Sequence, residues 1–163
     1  MNRRRVRQWF FAGSLLVSLF LPLLPLPGVL EPFKPYWPIL VLVYWVLEVP
    51  GSIPLGLAFL LGLGADVVNG VLLGDQALRL IVAVFLVVRF RSRLRFFPMW
   101  QQTLAVLALL VNDRVLDLVI RLFAGESLPP AMFWVAPFVG AAFWPFVFLL
   151  LDDLYTRLRV RET

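Results

Sequence analysis

Residues 89–95 read R-F-R-S-R-L-R, and similar arginine-rich segments sit near both ends of the chain: Arg3, Arg4, Arg5 and Arg7 at the start, and Arg157, Arg159 and Arg161 at the end. Together with Arg89, Arg91, Arg93 and Arg95 they hold 11 of the 15 basic residues. Cytoplasmic loops of membrane proteins carry the excess of Lys and Arg, so three such segments in an apolar chain mark three visits to one side of a bilayer. Between them lie apolar runs at 9–25, 36–49, 53–73, 76–89, 100–123 and 132–151. If every cluster is cytoplasmic, the chain crosses an even number of times between successive clusters. Once the first run has crossed, the 54 residues from 36 to 89 must cross an odd number of times. They suffice for three crossings of about 18 residues, and 100–151 allows two. The expected architecture is therefore all-α: a polytopic membrane protein of six transmembrane helices in one bundle, both termini cytoplasmic.

Length agrees. A crossing takes about 20 residues, so six spans use about 120 and leave little for loops. All of 1–163 reads as a single integral membrane domain, without internal repeats, low-complexity tracts or linkers. Hydrophobic residues make up 61% of the chain, above the roughly 45–50% of soluble domains. With no Cys and no His, the sequence excludes disulfides, thiolate nucleophiles, imidazole bases and the commonest zinc sites. The serines (Ser14, Ser18, Ser52, Ser92 and Ser127) have no base to activate them. No catalytic, cofactor or metal site is expected. The net charge of +5 is accounted for by topology, so the partner it implies is the lipid bilayer rather than nucleic acid. The first run resembles a secretory signal, but no A-x-A site follows it, and Pro22, Pro25 and Pro27 close it as a stiff exit into an outer loop. It reads as a retained span. Trp9 and Trp100 fall at expected inner edges and Trp37 and Trp134 at outer ones, whereas Trp45 and Trp144 lie deeper and are expected between helices.

Ionisable residues inside spans are costly and normally face the bundle. Span 5 carries Asp113, Arg114, Asp117 and Arg121, which at 100° per residue share an arc of about 100°. Span 3 carries Asp66 and Asn69 beside Gly62, Ala65 and Gly70, a small-residue face open to close helix approach. Asp66 and Arg114 lie at matching depth and could pair, with Arg79 near the outer end of span 4 as a second candidate. Such a set could form a proton relay, an ion path or a small-ligand pocket, or it could hold helices 3, 4 and 5 in register. Three acids balanced by three non-titrating arginines favour the structural network. The basic loop of Arg89, Arg91, Arg93 and Arg95 reads as a topology signal, with anionic lipid or an acidic protein surface as its other use. The string G-L-G-A-D-V-V-N-G at 62–70 has neither a preceding strand nor a P-loop lysine, so it is not a phosphate loop.

Several strings occur in a telling order: K-P-Y-W-P (34–38), V-Y-W-V-L-E-V-P (43–50), G-A-D-V-V-N-G (64–70), L-G-D-Q-A-L (73–78), W-Q-Q (100–102) and W-P-F-V-F-L-L-L (144–151). The set resembles the bacterial rod shape-determining protein MreD family over nearly the whole chain. It departs at Lys34, where the family usually has Arg, and at Glu48, an acid in a commonly uncharged stretch. The resemblance implies a non-enzymatic scaffold subunit of the cell-wall elongation complex in the bacterial inner membrane. Its implied partners are MreC, with RodA, the elongation transpeptidase and MreB in a larger assembly. It also implies likeness in fold to the substrate-binding subunits of energy-coupling-factor transporters, which makes a small-ligand-binding transporter subunit the alternative reading. Within the outer loop, Pro35, Tyr36 and Trp37 are the expected partner contacts, since the prolines limit its conformations and the aromatics offer anchors.

Overall fold

The computed structural model describes residues 3–49, 51 and 53–161; Pro50 of the second string and Ser52, discounted above as a nucleophile, lie outside the described residues. Six α-helices follow one another: α1 (Arg3–Phe20), α2 (Trp37–Glu48), α3 (Leu55–Asn69), α4 (Asp75–Leu94), α5 (Met99–Phe123) and α6 (Val135–Val160). Short 3-10 turns follow α1, interrupt the first loop and precede α6. No strand occurs among the described residues. The helices that carry arginine clusters run past the expected apolar edges, α1 starting at Arg3 and α6 continuing to Val160, because arginine is a good helix former.

Two stretches, Arg4–Leu23 and Ala131–Val160, are long and apolar enough to cross a membrane. The rest divide by cause. Twelve-residue α2 rises only about 18 Å and fifteen-residue α3 about 22 Å, against about 30 Å of hydrocarbon. Helices α4 and α5 are long enough but carry Arg79, Asp113, Arg114 and Asp117 within them.

A helix apolar on all sides belongs at a centre. In α2 every residue from Pro38 to Leu47 is buried, and α1, α4 and α6 pack around it. Pro38 sits in its first turn, where a missing N–H leaves no intrahelical bond unmade. Trp45 locks α1 and α6 onto it. Its Nε1 donates to Ser14 Oγ at 2.9 Å, and its ring meets Phe10, Phe11 and Tyr155 edge-on. Trp144 is fully buried beside Phe148, which in turn meets Tyr44. Trp9 and Trp100 are exposed.

The tightest joint is the α3–α4 hairpin. Gly62 faces the backbone of Ala77 so closely that a Cβ there would lie 2.6 Å from the Ala77 nitrogen. Two glycines make the connecting turn: Gly70 ends α3 at φ +65° and Gly74 precedes α4 at φ +98°, conformations that L side chains resist.

These contacts fix which ends lie together. The start of α1 meets the end of α6 through Phe10 stacked on Tyr155. The end of α4 meets the end of α2 through Arg91. All three arginine-rich segments therefore gather at one end of the bundle, and the turn between α3 and α4, the first loop and the turn before α6 gather at the other.

Candidate functional site

At the end opposite the arginine clusters a cavity of about 640 Å³ opens between the first loop, the start of α4, the end of α5 and the turn before α6. Arg79 on α4 forms its buried centre. Its Nε and Nη2 donate to the two carboxylate oxygens of Asp113 on α5 at 2.8 and 2.6 Å, a bidentate fork, and the Asp113 side chain is 2% accessible. Its Nη1 lies 3.7 Å from Asp75, one turn earlier on α4, and 3.8 Å from Asp117. Tyr36 closes this group from the first loop. Its ring lies beneath the Arg79 guanidinium at 5.0 Å, and its hydroxyl donates to Gln76 Oε1 at 2.8 Å.

Asp117 is shared. Besides Arg79 it accepts from Arg121 Nε at 3.1 Å and, at the longer 3.5 Å, from Arg114 Nη1. Both arginines meet one aromatic ring, Arg114 at 4.6 Å and Arg121 at 5.5 Å from the Phe133 ring centre. Lys34 at the rim bonds Glu31 at 2.9 Å and the Pro22 carbonyl at 3.0 Å, folding the first loop onto the end of α1.

The expected Asp66–Arg114 pair does not form, and Asp66 binds backbone instead. Its two carboxylate oxygens accept from Gly74 N at 2.8 Å and Gln76 N at 2.9 Å, capping the start of α4 from the neighbouring helix. Matching depth along two helices leaves their azimuth open, and the short turn brings unpaired N–H groups closer to Asp66 than any guanidinium. Asn69 donates to the Ala65 carbonyl of its own helix at 2.8 Å and lines the cavity. The network thus joins α4, α5, the first loop and the turn before α6, with α3 attached through the Asp66 cap.

The three loop residues hold their own protein. Pro35 is buried, Tyr36 reaches inward to Arg79, and Trp37 meets Phe143 of α6 edge-on at 5.7 Å. Of the basic loop, Arg89, Arg93 and Arg95 are exposed. Arg91 is different: its Nε and Nη2 donate to the Val46 and Leu47 carbonyls at 2.8 and 2.9 Å, capping the C-terminus of α2. Gln102 of W-Q-Q closes the next turn, its Nε2 donating to the Leu94 carbonyl at 3.0 Å.

Reasoning from sequence passed over Asp75, Gln76 and Phe133. Asp75 had a signal, since an acid four residues before an arginine on one helix faces it. Phe133 had none, because it reaches the arginines only through the return of the chain into α6.

Apolar helices around a fully buried central one, with ionisable groups gathered inside, define an all-helical membrane protein. The sequence profile of the rod shape-determining protein MreD matches residues 3–154. A relative from Haemophilus influenzae, described as Rod shape-determining protein MreD, is 34% identical over 165 residues, covering 98% of this chain and 99% of its own. No solved structure matches the chain. The chain belongs to the MreD family and acts in rod shape determination.

Proposed function

We propose that this protein is a six-span scaffold of the bacterial inner membrane that regulates cell shape and peptidoglycan synthesis by contact rather than by catalysis. The three arginine-rich segments face the cytoplasm. Its working partners are MreC directly, with RodA, the elongation transpeptidase and MreB in the larger complex. The observation that carries this reading is the gathering of 11 basic residues at one end of an apolar bundle whose connecting loops are too short to hold a further domain.

The surface offered to a single-span partner is the free face of the first loop, where Val29, Leu30 and Phe33 are exposed, while Pro35, Tyr36 and Trp37 hold the base of that loop against the bundle. Replacing Val29, Leu30 and Phe33 together by Ser should release the partner in a mild-detergent pull-down and round the cells at unchanged membrane abundance. Retained partner and normal rods would remove the loop from the interface, and rods surviving complete deletion would remove the function. The cavity favours a second reading, a small-ligand-binding subunit, which measured uptake of a bound solute would support.

A further inference from the structure

The cavity described above contains more polar capacity than its internal pairs consume. Arg79 is committed to Asp113, with two short bonds to its carboxylate, and two further carboxylates lie within 4 Å. Arg114 is less engaged. Among the described residues its guanidinium makes one bond, the 3.5 Å contact to Asp117, although a guanidinium has five N–H donors and this side chain is only 20% accessible. A half-buried cation held over the Phe133 ring with most donors unspent is poised for an oxyanion, which guanidinium binds in a fork.

Asp75 is its counterpart. It lines the same cavity with a side chain 12% accessible, and its contact to Arg79 at 3.7 Å is too long for a hydrogen bond. One of its oxygens is buried without a hydrogen-bond partner. Arg79, forked onto Asp113, and shared Asp117 lie between the two under-used groups. The charged lining is balanced: Glu31, Asp75, Asp117 and Glu126 against Lys34, Arg79, Arg114 and Arg121. A ligand of one sign would therefore meet as much repulsion as attraction. A ligand carrying both signs would satisfy Arg114 and Asp75 together.

We propose that this cavity binds a zwitterion, a molecule bearing an oxyanion group that Arg114 receives and an ammonium group that Asp75 receives, with Phe133 packing beneath. The volume of about 640 Å³ falls within the range of small-molecule sites and exceeds the needs of the charged groups alone, leaving room for an attached glycerol or short peptide. The same chemistry occurs in a free aminophosphate or amino acid and in the headgroup of an aminophospholipid. The site goes beyond the scaffold reading, and either can fail alone.

The test is a matched ligand series on the purified full-length protein in neutral detergent, read by titration calorimetry. Phosphoethanolamine carries both groups, glycerol phosphate only the anion and ethanolamine only the cation; dihexanoyl phosphatidylethanolamine and dihexanoyl phosphatidylglycerol repeat the contrast in lipid form. The expected result is that the zwitterion binds at least about tenfold more tightly than either single-charge analogue, as two charge-assisted contacts require. Preference in the free series identifies a soluble ligand, and preference only in the lipid series identifies the bilayer as its source. Arg114→Gln should lower the zwitterion to the level of ethanolamine, and Asp75→Asn should lower it to the level of the anion. Equal affinities across both series, or no saturable binding, would overturn the proposal on the unmodified protein, whatever the variants do. Unchanged zwitterion affinity in a folded Arg114→Gln protein would overturn it as well.

Discussion

At the arginine-rich end, Arg89, Arg93 and Arg95 extend from the end of α4 into solvent, and the core beside them is aromatic, built from Trp45, Phe10, Phe11 and Tyr155. At the opposite end the other four basic residues, Lys34, Arg79, Arg114 and Arg121, all line one cavity and all contact acids. The same residue type thus does two jobs. Solvated arginines set which side of a membrane a loop occupies and contribute little to folding. Enclosed arginines must be paired, and their partners tie separate helices together. Arg91 crosses the division, since it belongs to the exposed segment by sequence and to the core by its bonds to α2.

The contrast breaks most visibly at Asp113. Asp113→Ala leaves Arg79 buried without its fork and should cost about 3–5 kcal/mol, the usual penalty for an uncompensated buried charge. Asp113→Leu combined with Arg79→Met should recover most of that loss, whereas Arg93→Ala at the other end should change little. Reversible unfolding in mixed detergent micelles measures all of these, and strict additivity of the two cavity substitutions would show that the pair is not coupled.

Next in size is Gly62→Val. The added side chain would meet the Ala77 backbone and force α3 from α4, costing about 1–3 kcal/mol. Gly56, with nothing near its Cβ position, should accept Ala at little cost. Equal losses at the two glycines would mean that the hairpin is not closely packed.

Smaller still is the difference within the exposed segment. Arg91→Ala should destabilise by about 1–2 kcal/mol through the lost α2 cap, and Arg93→Ala by less than about 0.5 kcal/mol, in the same unfolding assay. Matching values would deny Arg91 its structural part.

Sequence periodicity goes far where the physics is one-dimensional. Hydropathy and charge place α2 and α5 to within one residue but miss the arginine-bearing ends of α1, α4 and α6 by five to nine, and a 100° rotation per residue puts Asp113 and Asp117 on one inward face. The apolar run of α2 reads as a span, but its enclosure follows from how α1, α4 and α6 pack around it. Partner choice is less legible still. Asp66 and Arg114 match in depth yet point to different neighbours, because azimuth and the path of a turn are set by packing. Arg91 shows the same gap: three neighbouring arginines are exposed, and the fourth meets two carbonyls that only the approach of α2 supplies.

The central claim is that the two ends of the bundle face opposite sides of the bilayer, and cysteine labelling tests it directly. The chain has no native Cys, and Ser92, in the arginine-rich segment, and Ser127, at the cavity rim, are both exposed. Single Ser92→Cys and Ser127→Cys proteins would be treated with a membrane-impermeant thiol reagent, first in intact spheroplasts and then after permeabilisation. The account predicts that Ser127→Cys labels at once and Ser92→Cys only after permeabilisation. Labelling of Ser92→Cys in intact spheroplasts, or protection of Ser127→Cys there, would contradict it.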